Sequence, residues 1–470
     1  MEYEVIIGLE LHIEMKTKSK MFSSAPVTFG DEPNVHVAPL DMGFPGTLPV
    51  VNKQAVINAI RVCHALHMSI DNELWFDRKN YFYSDLPKGY QITQDKRPIG
   101  KDGFIEINNR RIGIERLHLE EDTCKQLHYN DFTLLDYNRA GIPLIEIVSK
   151  PEIRNGEEAM KYVEKIRSIV CFLDVSDGKM QEGSLRCDVN VSIKEKGSAA
   201  FGTKVEIKNI NTLNNIKRAI DFEIDRQISL ISSGERVIQE TRRYDEDKKQ
   251  TVPMRLKIDS VDYKCYTDAN IIPIKLSDEF IDNAIKSSPE LAEVKYARYL
   301  KLGLSEYDAS LLISDKSISE YFDQLIRLGI NPKLSANWIN VDIKAYLNDN
   351  KIDINSFPID SNRLAELIIL IEKGKLSNKQ AREVFQVMLT SNDNPETIMD
   401  KLNITVIDSE EEITKIIIEL IQENPNIVLD YRKASDKVVK YLVGQVMKKT
   451  HGKANPSLTN KLVIEELKRR

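Results

Sequence analysis

The sequence has few cysteines and no long apolar run, and both absences limit what the chain can be. Its five cysteines are scattered over 470 residues without a Cys-x-x-Cys pair, which favours a reducing compartment and argues against zinc held by cysteine. No stretch approaches the roughly 18 apolar residues of a membrane span. The acidic residues near the start lead directly into a predicted strand, so we expect no signal peptide and no membrane contact. These features predict a cytoplasmic protein.

The common nucleotide-binding signatures are also absent. The sequence contains neither a Gly-x-x-x-x-Gly-Lys-Ser/Thr loop nor a Gly-x-Gly-x-x-Gly turn, the two motifs whose backbone amides usually hold phosphates. If the chain binds ATP, it therefore uses a less common scaffold.

Charge is unevenly distributed along the chain. Residues 432–470 contain 11 lysines and arginines against Asp436, Glu465 and Glu466, a local charge of +8. Since the net charge is -6, the first 431 residues carry -14. An acidic body with a basic tail predicts that the tail contacts a polyanion.

The periodicity of apolar residues divides the chain into three predicted domains. Residues 1–290 mix alternating strands with amphipathic helices, and the irregular order of the two excludes a simple doubly wound parallel sheet. Residues 291–404 read as helical throughout, and residues 405–470 as a small tail of three helices punctuated by prolines. The predicted fold class is α+β: a mixed sheet domain with helices, then an all-α domain and a small all-α tail.

Four short segments alternate apolar and ionisable residues, as strands with one buried and one polar face do. They lie at residues 9–14, 117–122, 186–193 and 204–208. The polar positions of these segments provide the candidate catalytic and metal-binding residues: Glu10, His12, Glu120, Glu121, Asp188 and Glu206.

This acidic set predicts a site for a divalent cation. The adjacent acids at 120–122 repel one another, and a bound cation relieves that repulsion. Oxygen ligands are those that a hard divalent cation prefers. We expect the six side chains to converge, with Glu10, His12 and Glu121 within reach of one cation. The alternative is a row of solvated carboxylates on a half-buried sheet.

Several basic and polar residues near these acids are candidates for binding phosphate. Lys204 and Lys208 flank Glu206 on its predicted strand. Lys79 begins a segment at 79–94 that is rich in aromatic and amide residues and suits either stacking of a base or the lining of a channel. The alternative for this segment is a core strand with capped tyrosine hydroxyls.

Two loops dense in turn-forming residues complete the candidate site. Asn138 and Arg139 lie in the first loop, and Ser184 and Arg186 lie at the end of the second, after Gly183. A glycine lets backbone approach a ligand closely, and a guanidinium offers a planar fork to an anion. Both features are typical of binding loops. The alternative for the first loop is a simple turn with an Arg–Asp ion pair.

Taken together, these segments closely resemble the B subunits of glutamine-dependent aspartyl/glutamyl-tRNA amidotransferases. The resemblance includes Ile-Gly-Leu-Glu-Leu-His at 7–12, Glu-Gly-Ser-Leu-Arg-Cys-Asp at 182–188 and Gly-Lys-Ala-Asn-Pro at 452–456. Further matching runs lie in collinear order between them, at 77–83, 119–122, 136–147, 205–209, 239–242 and 442–447. The resemblance spans nearly the whole chain.

The resemblance implies a cradle-like first domain, a helical second domain and a tRNA-binding tail. It further implies an ATP-dependent carbon–nitrogen ligase that uses ATP and Mg²⁺ to phosphorylate the side chain of a glutamate or aspartate wrongly attached to tRNA. Ammonia would come from glutamine through a partner amidase (glutaminase) chain, and a small third chain would complete a heterotrimer. The Mg²⁺ region of the family falls on the six candidate residues named above, five acids and His12.

Three departures from the family pattern stand out. Many relatives bind zinc through two cysteine pairs, and this chain has other residues at those positions, namely Ser23, Ala25, Ala38 and Asp41, so no zinc is expected. An arginine of the run at 262–270 is replaced by Lys264, which loses a bidentate fork. A glycine is replaced within 431–435.

Two other interpretations compete with the ligase subunit. One is a non-catalytic tRNA-binding scaffold derived from the same family, which the altered run at 262–270 would favour. The other is an unrelated Mg²⁺-dependent nuclease or phosphatase. The sequence does not choose between Glu-tRNA(Gln) and Asp-tRNA(Asn) as the substrate.

Overall fold

The chain folds into two compact units, Met1–Ala292 and Glu293–Arg470. The computed structural model describes residues 2–256, 263–404, 407, 409–424, 435–450 and 453–469. A large sheet and many helices make the fold mixed α/β, consistent with the predicted α+β class. Within the described ranges, no helix has the length and apolar character needed to cross a membrane.

The strands found among the described residues belong to the first unit. In chain order they are β1 (Tyr3–Glu14), β2 (Ser69–Ile70), β3 (Glu73–Leu74), β4 (Asp77–Asn80), β5 (Tyr90–Thr93), β6 (Gly100–Ile107), β7 (Arg110–Glu121), β8 (Lys125–His128), β9 (Thr133–Asp136), β10 (Pro143–Ser149), β11 (Leu185–Glu195), β12 (Val205–Lys208), β13 (Glu240–Asp245), β14 (Gln250–Leu256), β15 (Tyr266–Thr267) and β16 (Ile274–Lys275).

The helices are distributed over both units. In chain order they are α1 (Lys53–Ala65), α2 (Gly156–Phe172), α3 (Leu213–Ser232), α4 (Asp278–Lys286), α5 (Ala292–Lys301), α6 (Glu306–Leu312), α7 (Lys316–Arg327), α8 (Pro332–Asn337), α9 (Lys344–Asn350), α10 (Ser361–Glu372), α11 (Asn378–Met388), α12 (Pro395–Lys401), α13 (Glu410–Glu423), α14 (Ser435–Lys449) and α15 (Pro456–Arg469). A π-helical turn at Trp338–Ile343 joins α8 to α9, and a 3₁₀ turn lies at Ile354–Ser356.

The large sheet has β1 at its centre. Its strand order is β14-β13-β12-β11-β1-β10-β7-β6-β2. Neighbouring strands are antiparallel except β12 and β13, which are parallel. All four segments predicted from alternation lie in strands of this sheet. Three of them belong to the neighbouring strands β12, β11 and β1, whereas β10 separates β1 from the fourth, β7.

Alternation along β1 gives the sheet a buried and a polar face. Ile7, Leu9, Leu11 and Ile13 are at most 1% exposed and belong to the core that includes residues of α1, α2 and α3. Burying each such side chain contributes about 1.5–3 kcal/mol to folding. The even-numbered residues of β1 therefore project from the opposite face, which is where the candidate site lies.

Polar caps begin the helices that cover the buried face. The side chain of Asn155 accepts a hydrogen bond from the backbone N–H of Glu158 at the start of α2, and Thr212 accepts one from Asn215 at the start of α3. Each cap satisfies an amide that has no partner inside the helix. The helical spacing of apolar residues in the sequence predicts helices at 157–173 and 212–232, close to the observed bounds of α2 and α3.

A buried polar network ties α3 to the edge of the sheet. Glu223 of α3 is 0% exposed, and its carboxylate accepts hydrogen bonds from Arg226, Gln227 and Thr251. Arg242 of β13 lies 3.6 Å from the same carboxylate and also donates to Thr251. This network fixes β13 and β14 against α3.

The described residues of the second unit form two hydrophobic cores. One includes Phe322, Trp338 and Phe385, and the other includes Ile413 and Leu442. The two cores lie on either side of the predicted boundary at 404/405. The division of residues 291–470 into a helical domain and a tail domain stays a prediction.

Candidate active site

Five of the six predicted site residues lie on the polar face of the large sheet, in two clusters. The first, here called the acidic cluster, consists of Glu10, Asp188 and Glu206. The second, the histidine cluster, consists of His12, Glu120 and Glu146. In each cluster one ligand atom from every member lies within 4.8 Å of the others.

Strand register assembles the acidic cluster. Glu10 of β1 is directly opposite Asp188 of β11, and β12 adds Glu206 from the other side of β11. The Nζ atom of Lys208 donates to Asp188 Oδ2 at 2.6 Å and lies 3.6 Å from Glu206 Oε1. Burial alone would lower the pKa of Lys208, but Asp188 and Glu206 outweigh it and raise that pKa. The lysine therefore stays charged as a partial counter-charge to three carboxylates.

Two neutral side chains orient the carboxylates of this cluster. Asn190 donates through Nδ2 to Glu10 Oε1 at 3.0 Å, and Thr241 of β13 donates through Oγ1 to Glu206 Oε2 at 2.8 Å. Such outer hydrogen bonds fix the direction in which a carboxylate presents its free lone pairs.

The histidine cluster is built across β1, β10 and β7. His12 is directly opposite Glu146, and His118 of β7 faces Glu146 from the other side. The Nε2 atoms of His12 and His118 lie 3.4 and 3.2 Å from Glu146 Oε2, and Nε2 of His118 lies 3.5 Å from Glu120 Oε2. Two imidazoles and two carboxylates thus meet in a mostly buried position.

The neighbouring carboxylates raise the pKa values of His12 and of the adjacent His118. Burial alone would lower the pKa of His118, but Glu146 and Glu120 outweigh it and raise that pKa to about 10. The pKa of His12 is raised for the same reason. The pKa of Glu146 lies well below its usual range because both histidines offset the effect of burial. A metal ion bound by His12 would compete with a proton for the imidazole, and the raised pKa strengthens that competition.

Glu121, the sixth predicted residue, belongs to neither cluster. It follows Glu120 directly in β7, and consecutive strand residues point to opposite faces. Its Oε1 atom accepts hydrogen bonds from Lys88 Nζ at 2.5 Å and from the Ile92 amide at 3.0 Å. The structure therefore does not bring Glu10, His12 and Glu121 within reach of one cation, contrary to the expectation from the sequence.

Glu146 was not predicted, although a weak signal for it exists. It is the one charged residue of β10, a strand that is otherwise apolar apart from Ser149. The sequence does not reveal that β10 inserts between β1 and β7, and only this insertion places Glu146 beside His12.

A third polar group lies at the end of β1. Arg186 donates to Asp122 Oδ2 at 2.5 Å, and Nε of Arg139 lies 3.9 Å from the same oxygen. Burial would raise the pKa of Asp122, but the two arginines hold it at about 2. Burial and the neighbouring Asp122 raise the pKa of Glu14 to about 9. At neutral pH Glu14 is therefore a neutral acid hydrogen-bonded to the Asp122 carboxylate.

The loop with Asn138 and Arg139 has the contacts of a pinned turn. Asn138 accepts from the His36 amide and donates to the Glu32 carbonyl, both at 2.8 Å. Arg139 donates to the carbonyls of Thr123 and Cys124 at 2.9 and 2.8 Å. These contacts fit the alternative interpretation of the loop, and a role in binding an anion stays a prediction.

The remaining predicted phosphate ligands differ in their positions. Lys208 contacts the acidic cluster, whereas Lys204 is exposed at the residue before β12. Lys79 of β4 lies over the ring of Tyr263 at 4.8 Å. The Ser184 hydroxyl is bonded to the Asp177 carboxylate and the Lys179 backbone.

The segments that depart from the family pattern are only partly described. Asp41 accepts a hydrogen bond from the Ala38 amide at 2.8 Å and forms a buried ion pair with Lys20 at 3.0 Å. Lys264 has a positive φ of 44°, and its carbonyl accepts from Asn80 of β4 at 2.8 Å. Asp262 and residues 431–434 lie outside the described residues.

The donor atoms of the acidic cluster fit a hard divalent cation. Three carboxylates offer only oxygens, the ligands that Mg²⁺ prefers. A second observation supports the fit: the Oδ1 atom of Asn190 is buried and has no hydrogen-bond partner among the described residues. In the histidine cluster, mixed nitrogen and oxygen donors suit a divalent metal that accepts imidazole.

Comparisons with known proteins cover nearly the entire sequence. Residues 5–282 match the family model described as the GatB/GatE catalytic domain, and residues 320–467 match the one described as the GatB domain. The chain is 45% identical over 474 residues to the B subunit of the aspartyl/glutamyl-tRNA(Asn/Gln) amidotransferase from Mycoplasma mycoides, with 99% of each chain covered. It is 44% identical over 476 residues to the corresponding protein from Geobacillus thermodenitrificans, with 100% of each covered.

Proposed function

The chain belongs to the family of aspartyl/glutamyl-tRNA amidotransferase B subunits, and on that basis we propose that it carries the ATP-dependent step of the amidation. In this step the side-chain carboxylate of a glutamate or aspartate wrongly attached to tRNA attacks the γ-phosphorus of ATP. The products are an acyl phosphate and ADP. Ammonia then attacks the acyl carbon, phosphate leaves, and the amide of Gln-tRNA(Gln) or Asn-tRNA(Asn) is formed.

The observation that carries the proposal is the pair of clusters on one polar face. Phosphoryl transfer requires mainly positioning and neutralisation of charge. When bound, Mg²⁺ supplies positive charge at the phosphate oxygens. Glu10, Asp188 and Glu206 would hold the cation through oxygen. Lys208 is already charged beside them and would attract a phosphate oxygen as its carboxylate partners turn to the cation.

The neutral acid at the end of β1 has a separate place in this proposal. Glu14 is protonated beside the Asp122 carboxylate, because its pKa is raised to about 9 while Arg186 and Arg139 hold the pKa of Asp122 at about 2. Glu14 also lines a cavity of about 650 Å³. Because its proton is shared with Asp122, a neutral Glu14 can line this cavity without repelling a negatively charged substrate.

We further propose that the ammonia is released from glutamine by a partner amidase chain, with a small third chain in the complex. The test is reconstitution of the full-length chain with both partners on Glu-tRNA(Gln) and on Asp-tRNA(Asn). We expect ATP consumption and amidation on at least one of them, and no glutamine hydrolysis by the purified chain alone. Binding of tRNA without ATP consumption on either substrate would instead support the non-catalytic scaffold.

We expect removal of residues 405–470 to weaken tRNA binding while leaving the first unit folded. The removed segment contains the +8 region and has its own hydrophobic core, whereas the core of the large sheet consists of residues of the first unit. Each Lys or Arg contact that is lost should reduce the slope of log affinity against log salt by about one unit. Filter binding of tRNA to the reconstituted complex at several salt concentrations measures both quantities.

A matched pair of variants tests whether the lysines of the tail contact the phosphates of tRNA or only solvate the tail. Lys437 and Lys440 are exposed on α14, and Lys415 is exposed on α13 outside the +8 segment. Changing Lys437 and Lys440 to Gln should lower affinity and slope, whereas Lys415→Gln should change neither. Equal affinity and slope for the full-length and truncated complexes would show that the tail does not contact tRNA.

A further inference from the structure

We propose that the side-chain oxygen of Asn190 is an additional ligand of the cation in the acidic cluster. The inference rests on the proposed function, because it requires a cation at this position. It assigns a fourth protein oxygen, from an amide, to a centre for which the sequence indicated carboxylates and a histidine.

The position of Asn190 places it among the three carboxylates. It lies on β11 two residues after Asp188, so both side chains project from the polar face. It is directly opposite Glu206 on β12. On β1 it is opposite Gly8, which has no side chain. The side-chain Nδ2 atom of Asn190 lies 3.0 Å from Glu10 Oε1. Asn190 is thus close to members of the cluster on both neighbouring strands.

The hydrogen bond to Glu10 identifies the nitrogen and the oxygen of the Asn190 side-chain amide. A carboxylate only accepts, so the atom that contacts Glu10 Oε1 is the NH₂ group. The other end, Oδ1, is then left as an acceptor. This atom is buried and has no partner among the described residues, and the side chain belongs to a residue that is 9% exposed. Buried amide oxygens nearly always have a partner, so one without a partner points to a ligand.

A divalent cation is the ligand whose chemistry fits this oxygen. An amide oxygen is a common ligand of hard cations. It completes a set of three carboxylate oxygens without adding a further negative charge to a cluster that already repels itself. A bound water would satisfy Oδ1 as well, but it would not relieve the repulsion among Glu10, Asp188 and Glu206.

Asn190 could instead act only as the donor that orients Glu10, and two variants separate these roles. Asn190→Ala removes the donor and the oxygen together. Asn190→Asp removes the donor but keeps an oxygen ligand and adds a charge that attracts a cation. A ligand role therefore predicts opposite effects for the two variants, whereas a donor role predicts that both weaken binding.

The experiment measures Mn²⁺ binding to the full-length chain from the electron paramagnetic resonance signal of the free ion. All proteins carry Glu120→Gln, which impairs the histidine cluster and leaves the acidic cluster to be measured. We expect Asn190→Ala to weaken Mn²⁺ binding about 10- to 100-fold, the usual effect of losing a group at a metal site. We expect Asn190→Asp to bind Mn²⁺ at least as tightly as the parent. The melting temperature of this variant should also rise more on adding Mn²⁺ than that of the parent. Binding by Asn190→Asp as weak as that of Asn190→Ala would overturn the proposal.

Two further variants make the outcome specific. Ser192→Ala removes a buried polar group from the same face of β11, two residues further along, and should leave Mn²⁺ affinity unchanged. Glu10→Gln should abolish binding. If Glu10→Gln abolishes it but both Asn190 variants bind like the parent, only the role of Asn190 is wrong. If Glu10→Gln has no effect, the cation site of the proposed function is itself wrong.

Discussion

Changing Asp188 to Asn should reduce ATP-dependent amidation about 100- to 1,000-fold, the range seen when one group that stabilises transition-state charge is removed. The substitution keeps the shape of the side chain but removes one of three carboxylates from the acidic cluster. It also replaces the charged partner of Lys208, at 2.6 Å in the native chain, with a neutral amide. Single-turnover amidation of mischarged tRNA by the reconstituted complex measures the effect.

Glu4→Gln is the matched control for that result. Glu4 lies on the same face of β1 as Glu10, is one-third exposed, and pairs with Lys194 at 3.2 Å away from both clusters. We expect its amidation rate to be unchanged, and glutamine hydrolysis by the partner amidase to be unchanged in both variants. A fully active Asp188→Asn complex would contradict the assignment of the acidic cluster to phosphoryl transfer.

Changing Glu223 to Ala should lower the free energy of unfolding of the first unit by about 3–5 kcal/mol, as removal of one partner from a buried ion pair does. Glu223 is completely buried, and its loss leaves Arg242 without that carboxylate and Thr251 without an acceptor. Asp225→Ala, an exposed substitution on the same helix, should change stability by no more than about 0.5 kcal/mol.

The two tryptophans allow this unfolding to be assigned to one unit. Trp75 lies in the first unit and Trp338 in the second. In proteins that also carry Trp338→Phe, the fluorescence of Trp75 therefore follows the unfolding of the first unit in urea. We also expect Glu223→Ala to raise the Mg²⁺ concentration needed for half-maximal amidation, because β13 carries Thr241, which holds Glu206. Unchanged unfolding of the first unit would show that the network does not stabilise β13.

The part of the site that could be predicted from sequence is the part that alternation determines. Residues two apart in a strand share a face, so Glu10 and His12 were correctly placed together on β1. The same rule puts Glu120 and Glu121 on opposite faces. The expectation that Glu121 shares a cation with Glu10 and His12 rested on repulsion between adjacent acids and ignored this rule, so it was wrong. Alternation along a strand identifies which residues share a face, but it does not give the order of the strands in the sheet. Glu146 was missed because its place beside His12 depends on that order.

Loop residues were harder to interpret because their partners are distant in sequence. Asn138 lies in a loop with the composition of an anion-binding turn, yet its amide contacts backbone at Glu32 and His36. Nothing near residue 138 indicates that pairing. By contrast, α2 and α3 have their caps and apolar stripes within the same segment, and local patterns predicted them well.

The central position of β1 has a consequence for how the protein is made. Its neighbours β10 and β11 begin at Pro143 and Leu185, so β1 leaves the ribosome long before either pairing strand exists. Contacts between residues so far apart in sequence form slowly. Until then both edges of a 12-residue strand are unpaired, and such edges promote aggregation. Nascent chains that stop before residue 206 should therefore depend on chaperones and bind no cation at the acidic cluster, because Glu206 completes it.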